Sequence, residues 1–209
     1  MISLKSHLLL VFILSFLAIH IPLLLSTVNE YLEVCNPYLD GCFSISRSSR
    51  QPVSIFIFKP LMIISALSLY FLWPRLLNKN YKRIFIYIGQ IGSLFLIIYT
   101  FALGNGGNLY EIMRRYGIFI FYVFTLFSQW AYCFSFNPIN KKFFSRDRIL
   151  FYLSILQIIM FISSSPFYIY FKNDGHIENI YEWWITLSII IWFFVNFLYY
   201  NYDDRKKRD

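Results

Sequence analysis

The chain has 209 residues, 58% of them hydrophobic and 22% aromatic, and carries a formal net charge of +8. Six apolar runs, each about long enough to cross a bilayer as a helix, take up most of that length and leave no stretch for a separate soluble domain. The basic residues are sorted among the loops between the runs, so the positive balance reads as membrane topology and points away from nucleic acid as a partner.

In chain order the runs are Leu8–Thr27, Val53–Trp73, Ile84–Leu103, Tyr116–Phe136, Ile149–Phe171 and Glu182–Tyr202. They predict an all-α, polytopic bundle of six transmembrane helices forming one membrane domain over residues 1–209. Lys5 followed by apolar residues opens the first run as a signal peptide would. However, the run contains His20 and Pro22 and ends in Leu24-Leu25-Ser26 without a small-residue cleavage pattern, so it reads as a retained span. The longest connection is the loop 28–52. The many Phe, Tyr and Trp residues suit interfacial belts and helix packing.

Thirteen basic residues fall on one side of this map: Lys5, Arg75, Lys79, Lys82, Arg83, Lys141, Lys142, Arg146, Arg148, Arg205, Lys206, Lys207 and Arg208. Six fall on the other: Arg47, Arg50, Lys59, Arg114, Arg115 and Lys172. Cytoplasmic loops retain Lys and Arg, so the richer side is expected inside, both termini are expected in the cytoplasm, and loop 28–52 faces out. The expected location is the plasma membrane, the inner membrane in a bacterium, or an endomembrane in a eukaryote. The Arg205–Arg208 cluster is suited to anionic lipid.

Polar residues inside spans are costly unless they face the bundle interior. Gln90, Ser93 and Thr100 recur at helical spacing in the third span, where Gly89 and Ser93 also make a small-xxx-small step. Arg115, Tyr122, Thr125 and Gln129 share a face of the fourth, with Cys133 one turn on. The fifth carries Ser154, Gln157, Ser164 and Tyr168. Gln90, Gln129 and Gln157 fall in the inner half, where interhelical amide hydrogen bonds are expected.

The outer half holds the candidate chemistry. Lys59 lies about two turns into the second span and precedes Pro60, which removes a helical hydrogen bond. Glu178, Glu182 and Thr186 share a face, and Glu111 precedes Arg115 by one turn. Lys59, Arg114, Arg115, Glu178 and Glu182 are expected to converge near the outer interface with Ser44 and Ser46 of the loop. Lys59 and Arg115 with one carboxylate would make a net positive site for an anionic headgroup.

Cys35 and Cys42 flank the turn-forming Asn36-Pro37-Tyr38-Leu39-Asp40-Gly41, which permits a disulfide in an oxidising compartment; Cys133 is expected to be buried. No Cys/His pair has zinc-ligand spacing, and neither a metal nor a cofactor is expected. Sequence signatures of serine hydrolases, zinc peptidases, P-loops and dinucleotide sites are missing, and Gly104-Asn105-Gly106-Gly107 reads as a turn. A serine nucleophile with a histidine base remains open among Ser44, Ser46, His20 and His176.

Two segments carry a family resemblance. Cys35-Asn36-Pro37-Tyr38-Leu39-Asp40-Gly41-Cys42-Phe43-Ser44-Ile45-Ser46, followed by Pro52 and Phe58, resembles the P-x-x-P-S-I-S … P … F loop of the FRAG/DRAM/SFK superfamily. Asn179-Ile180-Tyr181-Glu182-Trp183, running on to Tyr202-Asp203, looks like that family's E-W … Y-x-D-F ending. The family comprises six-span proteins that include GPI-anchor lipid remodelling factors and the autophagy modulator DRAM. The resemblance implies membrane-lipid handling or organisation.

Three readings follow. The first is a membrane protein that recognises or organises lipid, or a membrane partner, through an outer polar pocket. The second is a membrane-embedded lipid hydrolase or acyl-transfer component, and the third a small transporter. All three share one topology. A reporter fused after Asp209 is expected to be cytoplasmic, and a cysteine replacing Asn173 to react with an impermeant external reagent; the reverse labelling pattern overturns the map.

Overall fold

In the computed structural model the described residues are 2–76, 82–135, 146–170 and 175–206, without the side chains of 146, 165–170 and 201–206. Lys79, Lys141, Lys142, Lys172, Asn173 and Asp174, the span ends Phe136 and Phe171, and the side chains of Arg146, Tyr168, Tyr202 and the C-terminal basic cluster lie outside that description. The described residues form helices α1 (Leu4–Val28), α2 (Ile45–Ser49), α3 (Ser54–Leu72), α4 (Arg83–Ala102), α5 (Asn108–Phe134), α6 (Arg146–Tyr170) and α7 (Gly175–Lys206), with no strand among them. A 3₁₀ turn, Trp73–Leu76, extends α3. Apart from the short α2, each of these helices contains a stretch long and apolar enough to span a membrane.

Two helices start well before their apolar runs. α5 begins at Asn108 where the hydropathy run begins at Tyr116, and α7 at Gly175 where the run begins at Glu182. The added turns carry Glu111, Arg114 and Arg115 in one case and Glu178 in the other. Hydropathy marks the length that lipid can bury, whereas backbone hydrogen bonding carries a helix on through polar residues at the interface.

The helices pack in chain order as a ring: α1 on α3, α3 on α4, α4 on α5, α5 on α6 and α6 on α7, with α1 against α7 closing it. Large rings fill the interior, Trp73, Trp183, Trp192 and Phe58 all being fully buried. Other apolar side chains such as Leu24, Phe56, Phe71 and Ile162 point outward, as expected where the surrounding solvent is hydrocarbon.

Close approach of α4 and α5 depends on small residues, because packing rather than water exclusion drives association in lipid. A Cβ on Gly117 would stand 3.1 Å from the Phe95 carbonyl oxygen. A buried polar layer joins the helices further along. Gln129 donates to the Ile189 carbonyl at 3.2 Å and its own carbonyl oxygen accepts from Gln157 at 3.1 Å, linking α5 to α7 and α6. Cys133 is buried 3.2 Å from the Ser154 hydroxyl, and the Trp192 indole donates to its sulfur at 3.4 Å. Gln90 lies between α4 and α3, its amide donating to the Tyr70 carbonyl at 3.5 Å.

Gly89 seats the Trp73 indole, to which an added Cβ would come within 2.5 Å. That ring is fully buried and has nowhere to move. Gly89→Ala is therefore expected to destabilise the protein by about 1–3 kcal/mol through overpacking. Gly106→Ala, with nothing within 4 Å, should change little. Equal melting temperatures for the two variants in detergent would contradict this packing.

Candidate functional site

Between α1 and α3 the chain folds back over one end of the bundle. Local chemistry shapes this loop: the Asn36 side-chain oxygen accepts from the Tyr38 N–H at 3.1 Å, and Asp40 accepts from the Asn36 N–H at 3.0 Å. Cys35 and Cys42 are paired as a disulfide across the turn. Ser44 caps α2, its hydroxyl accepting from the Arg47 N–H at 3.1 Å. Gly41 has φ +61°, and a Cβ there would meet the His176 carbonyl oxygen at 2.0 Å, so backbone conformation and space both require glycine.

The loop is held down by one face of α7. Asn179 donates to the Gly41 carbonyl at 2.7 Å, the Trp183 indole to Phe43 at 3.0 Å and the Trp184 indole to Tyr38 at 3.0 Å. His176 Nδ1 reaches the Asp40 carbonyl at 3.1 Å. Positions 176, 179, 183 and 184 follow the helical repeat, so one stripe meets a run of loop carbonyls that would otherwise lose water without compensation. On the other flank, the buried Ser26 hydroxyl donates to the Ser48 carbonyl at 2.6 Å, and the Ser54 hydroxyl donates to the Pro22 carbonyl at 2.9 Å.

Tyr38 is the loop residue that reaches furthest in. Its ring lies edge-on to Trp183 and Trp184, with centroids 5.2 and 5.4 Å away, and its hydroxyl is 2.8 Å from His20 Nε2. Because His20 Nδ1 faces the Phe16 carbonyl at 2.8 Å, Nδ1 carries the proton. In the neutral ring Nε2 then accepts from the phenol. Burial pushes the Tyr38 hydroxyl up to about 12, so it remains a donor throughout the ordinary pH range.

Beneath the loop, enclosed by α1, α3, α4, α5 and α7 and roofed by Ile45 of α2, lies a cavity of about 40 Å³. Its wall is mostly apolar and aromatic, including Phe58, Tyr99, Phe121, Tyr122 and Phe193. Among the described residues Glu182 is the sole charged one lining it, and no Lys or Arg does so. The Ile45 N–H lies against the Glu182 carboxylate. Tyr122 and Thr186 are joined by a 2.6 Å hydrogen bond, and Thr186 donates to the Glu182 backbone carbonyl at 2.7 Å, so the phenol is the donor to Thr186. Tyr99 is 4% exposed, and its hydroxyl makes no side-chain hydrogen bond among the described residues.

The expected convergence of Lys59, Arg115 and Glu182 is not what the helices present, since only Glu182 lines the cavity. Arg115 is exposed and pairs with Glu111 at 2.6 Å along α5, while Tyr122, Thr125 and Gln129 of the same stripe turn inward. The α5 extension carries Arg115 past the packed part of the helix, where an (i, i+4) partner satisfies it in solvent. Lys59 reaches the Phe101 carbonyl at the end of α4 at 3.5 Å, and Arg114 donates to the Asn105 carbonyl at 2.8 Å. Glu178 is half-buried one turn before Glu182.

The hydroxyls of Ser44 and Ser46 are 3.1 Å apart. His20 bonds Tyr38 and Phe16, and His176 bonds the Asp40 carbonyl. Tyr38, Tyr99 and Asn179 were not singled out by sequence reasoning. The two tyrosines stand among 17 Tyr and 24 Phe with nothing in their spacing to distinguish them. Asn179 had a weak signal, a polar residue one turn before Trp183 and next to the acidic pair.

No family model matches the chain, and neither does any curated protein or solved structure. The two segments that resemble the FRAG/DRAM/SFK superfamily are nevertheless in direct contact here, through the bonds of Asn179 and Trp183 to the Gly41 and Phe43 carbonyls.

With the loop so anchored, Cys35 and Cys42 are expected to resist alkylation until a reductant is added, and Cys133, 1% exposed, to react slowly under either condition. Serine at both loop positions should cost about 2 kcal/mol of stability, the closure entropy of so short a ring. Free reaction of both loop thiols in unreduced membranes would contradict the bridge.

Proposed function

We propose that this chain is an integral membrane protein, with both termini cytoplasmic, that recognises or organises membrane lipid through the cavity beneath its outer loop. The observation that carries the reading is Glu182, a carboxyl group inside a bundle of membrane-length helices, with no basic residue among the described ones on the cavity wall around it. An ionisable group at such a position is costly and is retained where it serves a ligand or a pathway. A roof shaped by a disulfide and fixed by α7 adds the preorganisation that a binding site needs. The sorting of basic residues supports the orientation, and the contact between the two resembling segments supports the kinship with the FRAG/DRAM/SFK superfamily and its lipid-handling members. A membrane-protein partner docking on the roof is the alternative use of the same end of the bundle.

The test compares lipid retained after mild detergent purification, identified by mass spectrometry, in the wild type and in Glu182→Gln. Losing a hydrogen bond to a charged group weakens binding by about 1.5–3 kcal/mol, so retention should fall by about tenfold to a hundredfold. Lys82→Gln, an exposed position at the start of α4 that lines neither this cavity nor the groove along α5, should retain lipid as the wild type does. Equal lipid in the wild type and Glu182→Gln overturns the reading.

A further inference from the structure

We propose that the group bound in the Glu182 cavity is an organic ammonium, carried either by an aminolipid headgroup or by a free amine. This rests on the reading of the cavity as a recognition site and specifies its ligand. Three features of the wall point the same way. The first is charge: among the described residues Glu182 is the sole charged one lining the cavity, Arg50 and Arg114 acting on Tyr99 only from behind the wall, so the wall itself offers a carboxylate and no cation. The second is the set of rings. Phe58, Tyr99, Phe121, Tyr122 and Phe193 all line the space, Phe58 and Tyr99 being perpendicular with centroids 6.5 Å apart and Phe121 and Tyr122 tilted by 44° at 5.6 Å. Aromatic faces around a carboxylate are the recognised chemistry for an alkylammonium, which takes ring quadrupoles and one counter-charge together. The third is hydrogen bonding. The Tyr99 hydroxyl lacks a side-chain partner among the described residues, so it is available to accept from an N–H.

Size agrees with a terminal group and not with a whole headgroup. A cavity of about 40 Å³ exceeds the roughly 10–15 Å³ that one water needs and takes one small cationic end. The remainder has a route out. Ile118 lines both this cavity and an open groove of about 860 Å³ along α5, where Ile112, Tyr116 and Phe119 offer apolar surface for acyl chains. A lipid entering sideways past Ile118 would leave its chains in the groove and present its ammonium to Glu182.

The test uses the full chain in detergent micelles, titrated with phosphatidylethanolamine, phosphatidylglycerol or free ethanolamine and followed by intrinsic tryptophan fluorescence. The expected result is at least tenfold tighter binding of phosphatidylethanolamine than of phosphatidylglycerol, lost in Glu182→Gln and weakened several-fold in Tyr99→Phe. Free ethanolamine binding as tightly as the lipid assigns the ammonium to a soluble amine; binding of the lipid alone assigns it to a headgroup. If Glu182→Gln does not fold, Tyr99→Phe carries the test, and unchanged affinity there overturns the inference. Preference for phosphatidylglycerol that still depends on Glu182 overturns the ammonium and leaves lipid recognition standing. No binding of any of the three probes, together with no lipid retained on purification, overturns both.

Discussion

A loop that lies down on the end of a membrane bundle must find donors for the carbonyl groups it takes out of water. Here one stripe of α7 supplies them: Asn179, Trp183 and Trp184 bond Gly41, Phe43 and Tyr38, and His176 reaches Asp40. Each such bond contributes modestly, but leaving one of these carbonyls buried and unpaired would cost more than the bond itself contributes. The rest of the site depends on this stripe. Without it Tyr38 would not reach His20, Ile45 would not roof the cavity, and Glu182 would face open water at the bundle end.

The ring order of the helices has a similar logic. Connections between consecutive spans make neighbours in sequence neighbours in space, so among the described helices the chief non-local packing is the closure between α1 and α7. The loop crosses that closure: α2 packs on α1, α3 and α7, and the His20 to Tyr38 bond ties α1 to the loop that α7 grips. Polar contacts therefore reinforce this closure at the loop end, while the Gln129–Gln157 layer ties α6 and α7 to α5.

Legibility from sequence varied with the physics behind each feature. The six membrane-length helices could be read because burial in hydrocarbon demands an unbroken apolar run, and such a run is visible in one dimension. Helix ends were less legible, because Asn108 and Gly175 start helices whose first turns are polar and so leave no mark in hydropathy. The Cys35–Cys42 pair was legible from local turn chemistry. Arg115 was misplaced because helical periodicity says which residues share a face but not where along the helix the neighbour stops covering it. Glu182 was singled out as a candidate near the outer interface, whereas its burial among aromatic rings was not legible, since Phe58, Tyr99 and Phe193 come from three helices far apart in the chain.

The separation between loop and α7 also governs how the molecule comes into being. The disulfide spans 7 positions, whereas the bond from Trp183 to Phe43 spans 140. At about 5–20 residues per second, roughly 7–30 s of synthesis separate the two partners of that bond. During that interval the carbonyls of Tyr38, Asp40, Gly41 and Phe43 lack their α7 donors, and the local bonds of the Asn36–Asp40 turn are what shape the loop. The carboxylate and the clamp arrive together on α7, so a nascent chain acquires its roofed cavity in one step once that helix is made, and any chain released before α7 lacks the site altogether.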